Sequence, residues 1–143
     1  MRNESLARIW LKRAKSNLQM AKAGKVFEDI LYEDLCFDCE QAVEKALKAL
    51  LVSIDVSFPR THSIGHLIEL IEEHSIIVRD EIKDSISLTA YAVSTRYPGD
   101  FEPVDEQEYQ EALEIAKKVF DWARKIIEDD KKGKMTTNSK TTL

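Results

Sequence analysis

Two short loops hold the residue types best suited to binding a phosphorylated ligand. Residues 58–62 read Phe-Pro-Arg-Thr-His, and residues 95–101 read Thr-Arg-Tyr-Pro-Gly-Asp-Phe. Each loop sets an arginine beside an aromatic or imidazole ring in a turn stiffened by proline. The planar guanidinium fork suits phosphate, and a neighbouring ring can stack on a base. Two interpretations stay open: a nucleotide site, or rings that plug the end of a helical bundle while the arginines pair with acids.

A polar group on the second predicted helix could add to such a site. Gln41, Glu44, Lys45 and Lys48 fall on the side opposite the helix's apolar stripe. Glu44 and Lys48 are spaced four apart, which gives a favourable ion pair on a helix surface. The spacing by itself predicts a solvated helix face.

The cysteines and histidines could in principle ligate a metal. Cys36 and Cys39 form a Cys-x-x-Cys pair, but zinc needs two more ligands at matching spacing and there is no second cysteine pair. Both fall on the apolar side of their helix, which predicts core cysteines. His62 and His66 lie four apart without an accompanying His-Glu-x-x-His pattern. We therefore predict neither a bound metal nor a cofactor.

Apolar residues recur at spacings of three and four, and glycine or proline falls where that periodicity breaks. The pattern predicts an all-α fold, an antiparallel four-helix up-and-down bundle with one short extra helix, as a single domain over residues 1–130. The predicted helices cover residues 4–23, 29–54, 64–74, 78–94 and 105–130, the last with Asp105 as its N-cap.

Length and charge narrow the classes of function. A chain of 143 residues fits one domain, and its net charge of −5 disfavours binding to bulk nucleic acid. No apolar run approaches the ~20 residues needed to cross a bilayer, and the N-terminus lacks the apolar core of a signal peptide. We expect a cytoplasmic protein with no membrane association.

Three segments together resemble the HEPN family (higher eukaryotes and prokaryotes nucleotide-binding domain). Residues 36–50 resemble its signature helix, and the two loops described above resemble its loop motifs. The resemblance implies a four-helix bundle, a homodimer, and a role beside a minimal nucleotidyltransferase, often as toxin and antitoxin. It also implies a nucleotide ligand, with Arg60 and Arg96 on phosphate, Tyr97 stacking, and His62, Gln41, Lys45 and Lys48 nearby.

Some members of that family are metal-independent ribonucleases, whose motif is an arginine, four to six residues, and a histidine. Arg96 occupies the corresponding place, but residues 97–104 contain no histidine. Arg60 and His66 match the spacing, yet they precede the third helix and not the family's catalytic position. The sequence therefore favours a non-catalytic binding protein. The alternatives are a toxin ribonuclease using Arg60 or Arg96 with His62 or His66, and a non-catalytic dimeric adaptor.

The tail, residues 131–143, is polar, rich in lysine and threonine, and without apolar periodicity, which predicts disorder. Deleting it should change the melting temperature by less than about 4 °C, on the order of 1 kcal/mol for a domain of this size. Thermal unfolding of the shortened and full-length chains measures this. A larger drop would mean that the tail packs against the domain.

Overall fold

The structure is a computed structural model that describes the backbone of residues 2–92 and 102–141 and the side chains of residues 5–92 and 102–129. Over these residues all regular structure is helical, which confirms the predicted all-α class. No helix in this part of the chain is long and apolar enough to cross a bilayer. The elements are α1 (Arg2–Ala23), α2 (Tyr32–Ser53), α3 (Ile64–Glu72), α4 (Asp80–Lys83), a 3₁₀ helix (Asp84–Ala92) and α5 (Glu106–Thr141).

The second helix, α2, forms the centre of the bundle. It packs most extensively against α1 and α5, and also against α3 and the 3₁₀ helix. Its leucines Leu47, Leu50 and Leu51 are completely buried, each stabilising the fold by roughly 1.5–3 kcal/mol. The helices α1 and α2 are antiparallel, because Asn17 bonds to Asp38 and Lys45 whereas Trp10, earlier in α1, lies beside Lys48, later in α2.

The fourth predicted helix is only partly α-helical. We expected one α-helix over residues 78–94, but four residues of α-helix pass into the nine-residue 3₁₀ helix. Ile82 of α4 and Ser85 and Leu88 of the 3₁₀ helix follow at intervals of three and are all buried, whereas Ile86 is exposed. The hydroxyl of Ser85 donates to the carbonyl of Ile82, three residues back, at 2.6 Å. Such local bonds compete with the α-helical ladder.

The end of α2 sets the direction of the loop that follows. Asp55 has a φ of 61°, and the amide of Val56 donates to the Leu51 carbonyl at 2.9 Å. These are features of a Schellman motif, with aspartate in the left-handed position that glycine usually occupies. The turn reverses the chain, so that the loop can return along α2 before α3 begins.

The last helix begins as predicted and ends later than predicted. The amide of Glu108 donates to Asp105 Oδ1 at 2.8 Å, which confirms Asp105 as the cap. The helix runs to Thr141 and not to Asp130. The disorder expected for residues 131–143 stays a prediction that the tail deletion tests.

The prediction that both cysteines are core residues is confirmed. Cys36 and Cys39 are free thiols with no exposed surface. Burial, with a smaller contribution from Cys36, raises the pKa of the Cys39 thiol to about 12.

Both thiols should therefore resist a thiol reagent such as Ellman's reagent at neutral pH and react fully in denaturant, because both are inaccessible and burial also disfavours the reactive thiolate of Cys39. A time course of thiol release with and without guanidinium measures this. Rapid labelling of the native protein would show that this part of α2 opens readily.

Candidate functional site

A buried carboxylate, that of Glu44, lies at the centre of the polar cluster on α2. The residue is only 2% exposed. Its oxygens contact Lys48 Nζ at 3.1 Å, Gln41 Nε2 at 3.3 Å and His62 Nδ1 at 3.2 Å. Burial would by itself raise the pKa of Glu44, but bonds from Glu40, Lys48 and His62 lower it overall. Glu44 is therefore an anion at neutral pH, held by donors from several directions.

Glu40 lies one helical turn before Glu44 and is completely buried. Its Oε1 accepts a 2.7 Å bond from Gln41, while Oε2 faces no donor among the described residues. Burial raises the pKa of Glu40 to about 9, and the bond to Glu44 and the charge of Glu44 act in the same direction. At neutral pH Glu40 keeps its proton and donates it to Glu44, because two adjacent buried carboxylates cannot both ionise cheaply.

The loop between α2 and α3 reaches this cluster through His62. Its Nδ1 lies 3.2 and 3.3 Å from the two oxygens of Glu44. The side chain is 75% exposed, so Nε2 is the nitrogen left for a ligand. Thr61 and Ser63 fix the path of the loop, because Thr61 Oγ1 accepts from the Ser63 amide and Ser63 Oγ caps α3 by accepting from His66.

Two aromatic rings lie next to the lysine of this cluster. Lys48 Nζ is 5.5 Å from the centre of the Trp10 ring and 5.8 Å from that of Phe58. The two rings pack edge to face with centroids 6.1 Å apart. Cation–π attraction and the bond to Glu44 together hold the ammonium, whose side chain is 12% exposed. Phe58 thereby fastens the start of the loop against α1.

A second polar group continues the cluster along α2. Asn17 of α1 is 7% exposed and bridges two residues of α2. It donates to Asp38 Oδ1 at 3.0 Å and accepts from Lys45 Nζ at 2.7 Å. The asparagine thus satisfies an acid and a base with its two amide atoms and fixes the register of α1 against α2.

The structure brings together four of the seven residues predicted for the site. Gln41, Lys48 and His62 contact Glu44, and Lys45 lies next to them on α2. Arg60 is exposed on the same loop. The other two, Arg96 and Tyr97, lie outside the described residues.

The prediction of a solvated face on α2 is wrong. Glu44 is buried, and Gln41, Lys45 and Lys48 are half-buried, because the loop and α1 pack over them. Sequence reasoning also missed Glu40, Asn17 and Trp10 as members of the cluster. The signal for Glu40 was present, since it is four residues from Cys36 and three from Val43 and so falls within the buried stripe. Within the described residues no group of three or more His, Cys, Asp or Glu side chains could hold a metal ion.

Comparison with known proteins finds one family and two solved structures. The HEPN domain family matches residues 7–126. The chain is 30% identical to TT1696 from Thermus thermophilus, with a TM-score of 0.71 over 83% of this chain and 96% of that one. It is 26% identical to ST0689, an archaeal HEPN homologue, with a TM-score of 0.68 over 85% of this chain and 97% of that one. No curated protein matches significantly.

The buried proton of Glu40 predicts a pH dependence of stability. Its folded pKa of about 9 exceeds the ordinary value of 4.5, so the folded state binds more protons between these values and stability falls as pH rises through them. Glu40→Gln keeps both hydrogen bonds and removes the ionisation. Its free energy of unfolding should exceed that of the wild type by an amount that grows, by more than about 1 kcal/mol, from pH 5 to pH 8.

Chemical denaturation of both proteins across this pH range measures the effect. The matched control is Glu114→Gln, an exposed glutamate on α5 that should shift stability little at any pH. Parallel pH profiles for wild type and Glu40→Gln would contradict a protonated Glu40.

Proposed function

This chain belongs to the HEPN domain family, and from that premise we propose that it is a nucleotide-binding protein that acts as the partner subunit of a minimal nucleotidyltransferase. In this proposal the protein is a homodimer, belongs to a pair of the toxin–antitoxin type, and catalyses no reaction of its own. Its ligand-binding surface consists of the loop carrying Arg60 and His62, the adjoining lysines of α2, and Arg96 with Tyr97.

One observation carries the proposal. Two separate segments, α2 and the loop after it, hold residues predicted to contact a phosphate or nucleotide. Gln41 and Lys48 of α2 and His62 of the loop all contact the same buried carboxylate, that of Glu44. A buried charge with several donors holds a rigid arrangement, because moving any one donor would cost the buried carboxylate a hydrogen bond. Rigid positioning of polar groups is what a specific binding site needs.

The charge balance of the cluster bears on the strength of binding. Lys48 is neutralised by Glu44, so the positive charge left for a phosphate comes from Lys45, from the exposed Arg60 and from Arg96. The net charge of the chain is −5, which opposes a polyanion over the rest of the surface. We therefore propose weak binding of a small phosphorylated ligand that weakens with salt.

The geometry of His62 favours a second function, metal-independent ribonuclease activity. A histidine whose Nδ1 is held by a buried carboxylate presents Nε2 in a fixed tautomer, the arrangement that a general base needs. His66 lacks this support, because the nearest acid, the exposed Glu69, lies 3.9 Å away. The argument against the function is that the family's catalytic position, after Arg96, holds no histidine.

Nucleotide binding is tested by titrating a fluorescent ATP analogue into the purified protein and following its anisotropy. We expect weak binding that falls with added salt, is abolished by Arg96→Ala and weakened by Arg60→Ala, because both remove a phosphate contact. The control His66→Ala should bind like the wild type. Equal binding by the wild type and all three variants would contradict the proposed site.

The ribonuclease alternative is tested by incubating a labelled RNA with EDTA and the protein. We expect cleavage no faster than in buffer alone. Cleavage that His62→Ala abolishes and His66→Ala leaves intact would replace the binding function with catalysis by His62. Co-purification with a nucleotidyltransferase from the neighbouring reading frame tests the partner part of the proposal separately.

A further inference from the structure

The first helix carries a charge opposite to that of the rest of the chain. Residues Arg2–Ala23 include six lysines and arginines and one glutamate, a net charge of +5, whereas the rest of the chain carries −10 out of a total of −5. So uneven a distribution creates a local positive field on a protein that is acidic as a whole. The helix α1 is therefore the element best suited to an acidic partner.

The cations of α1 lie on the side that is turned away from the bundle. The helix packs against α2 and, less extensively, against α5, through a side that holds the buried Ala14, Asn17 and Leu18. About half a turn round the helix from Asn17, exposed residues follow at intervals of four and three, over a length of ~21 Å. We call this row the basic stripe, and its members are Arg8, Lys12, Lys15, Gln19 and Lys22.

The lysines of the basic stripe are not neutralised by their own chain. Elsewhere on the surface Lys83 and Lys117 each form an ion pair with a glutamate, at 3.0 and 3.4 Å. Within the described residues neither Lys12, Lys15 nor Lys22 forms one. The basic stripe therefore offers a row of positive charges whose donors are open to a partner.

Two exposed apolar side chains border the basic stripe. Ile9 and Met20 are 49% and 50% exposed. Their separation of eleven residues is about three turns, which sets both on one side of α1, between the basic stripe and the contact that Asn17 makes with α2. A partner that lies along the basic stripe therefore meets apolar as well as charged groups, the combination that protein interfaces use.

We infer that the basic stripe docks an acidic amphipathic helix of another protein. Acidic side chains of that helix face Lys12, Lys15 and Lys22, and apolar side chains on one flank cover Ile9 and Met20. A helix fits because residues at alternating intervals of three and four form a straight seam that a second helix can follow. The inference rests on the partner part of the proposed function and not on nucleotide binding.

Three other occupants fit the basic stripe less well. A second copy of this chain, docked stripe to stripe, would set lysines opposite lysines. A nucleic acid would find no aromatic ring in the stripe for stacking, and a duplex longer than α1 would meet the acidic remainder of the chain. A bilayer binds the apolar face of a helix, and that face of α1 is already buried against α2 and α5.

The inference is tested with a fluorescein-labelled synthetic peptide of three heptads, helical, with glutamates along one face and leucines beside them. Anisotropy titration of the full-length protein should show binding that weakens with salt. In Lys12→Glu/Lys15→Glu the affinity should fall at least about tenfold, because attractive contacts become repulsive. The matched control Lys118→Glu/Lys125→Glu makes the same change of net charge at exposed positions of α5 and should bind like the wild type.

A second peptide separates alignment of the charges from charge alone. It has the same composition, with the glutamates scattered around the helix, and should bind at least about tenfold more weakly. Ile9→Ser/Met20→Ser should weaken binding of the aligned peptide without changing the net charge. Equal binding of the two peptides, or an equal loss in the two lysine variants, would overturn the inference. Circular dichroism melts show that each variant folds, and Lys12→Gln/Lys15→Gln replaces the glutamate variant if it does not.

Competition experiments identify the class of the occupant. A short RNA duplex and phosphatidylglycerol vesicles should each compete with the aligned peptide only weakly. Either one binding more tightly than the peptide, and losing that binding in Lys12→Glu/Lys15→Glu, would assign the basic stripe to nucleic acid or to a membrane, and the inference would be wrong.

The outcomes separate the inference from the proposed function. A nucleotidyltransferase that co-purifies with the wild type and with Lys118→Glu/Lys125→Glu, but not with Lys12→Glu/Lys15→Glu, supports both. One that co-purifies equally with all three proteins removes the basic stripe as its docking surface and keeps the partner. If no nucleotidyltransferase co-purifies with the wild type, the partner part of the proposed function is contradicted, and the peptide titrations alone decide the inference.

Discussion

The carboxylate of Glu44 imposes the constraint on which the rest of the polar surface depends. A buried charge costs several kcal/mol unless hydrogen bonds satisfy its oxygens. Glu40, Gln41 and Lys48 supply bonds from the same helix. The remaining donor, His62, comes from outside α2. The loop after α2 must therefore return to Glu44. This contact fixes the position of the loop on the surface of α2.

The periodic part of the fold could be predicted because burial of apolar side chains decides it. The stripe through Cys36, Val43 and Leu47 identifies α2 without knowledge of its neighbours. The 3₁₀ helix could not be predicted in this way. Over residues 84–92 the apolar residues fit spacings of three and of four almost equally well. The 3₁₀ geometry instead buries Ser85. Its hydroxyl donates to the carbonyl of Ile82, which satisfies this polar group in the core.

The candidate site was predictable in its residue types but not in their pairing. Arginine, histidine and lysine near aromatic rings suggested phosphate binding, and Gln41, Lys45, Lys48 and His62 do lie in one cluster. Helix spacing could not show that Glu44 is buried, because the groups covering it come from elsewhere in the chain. The structure thus changes which of these residues can offer a positive charge to a ligand. Lys48 is already neutralised by Glu44 and serves mainly to orient the surface, whereas Lys45 is bonded to the neutral amide of Asn17 and keeps its positive charge.

The 3₁₀ helix also extends further than an α-helix of the same number of residues. It rises by about 2.0 Å per residue against about 1.5 Å in an α-helix, so nine residues cover ~18 Å where an α-helix would cover ~14 Å. The added ~4 Å carries Tyr91 to a position where its hydroxyl bonds to Glu108 at the start of α5 and lies beside Cys36 of α2. The less favoured helix type therefore sets where Tyr91 stands relative to both α2 and α5.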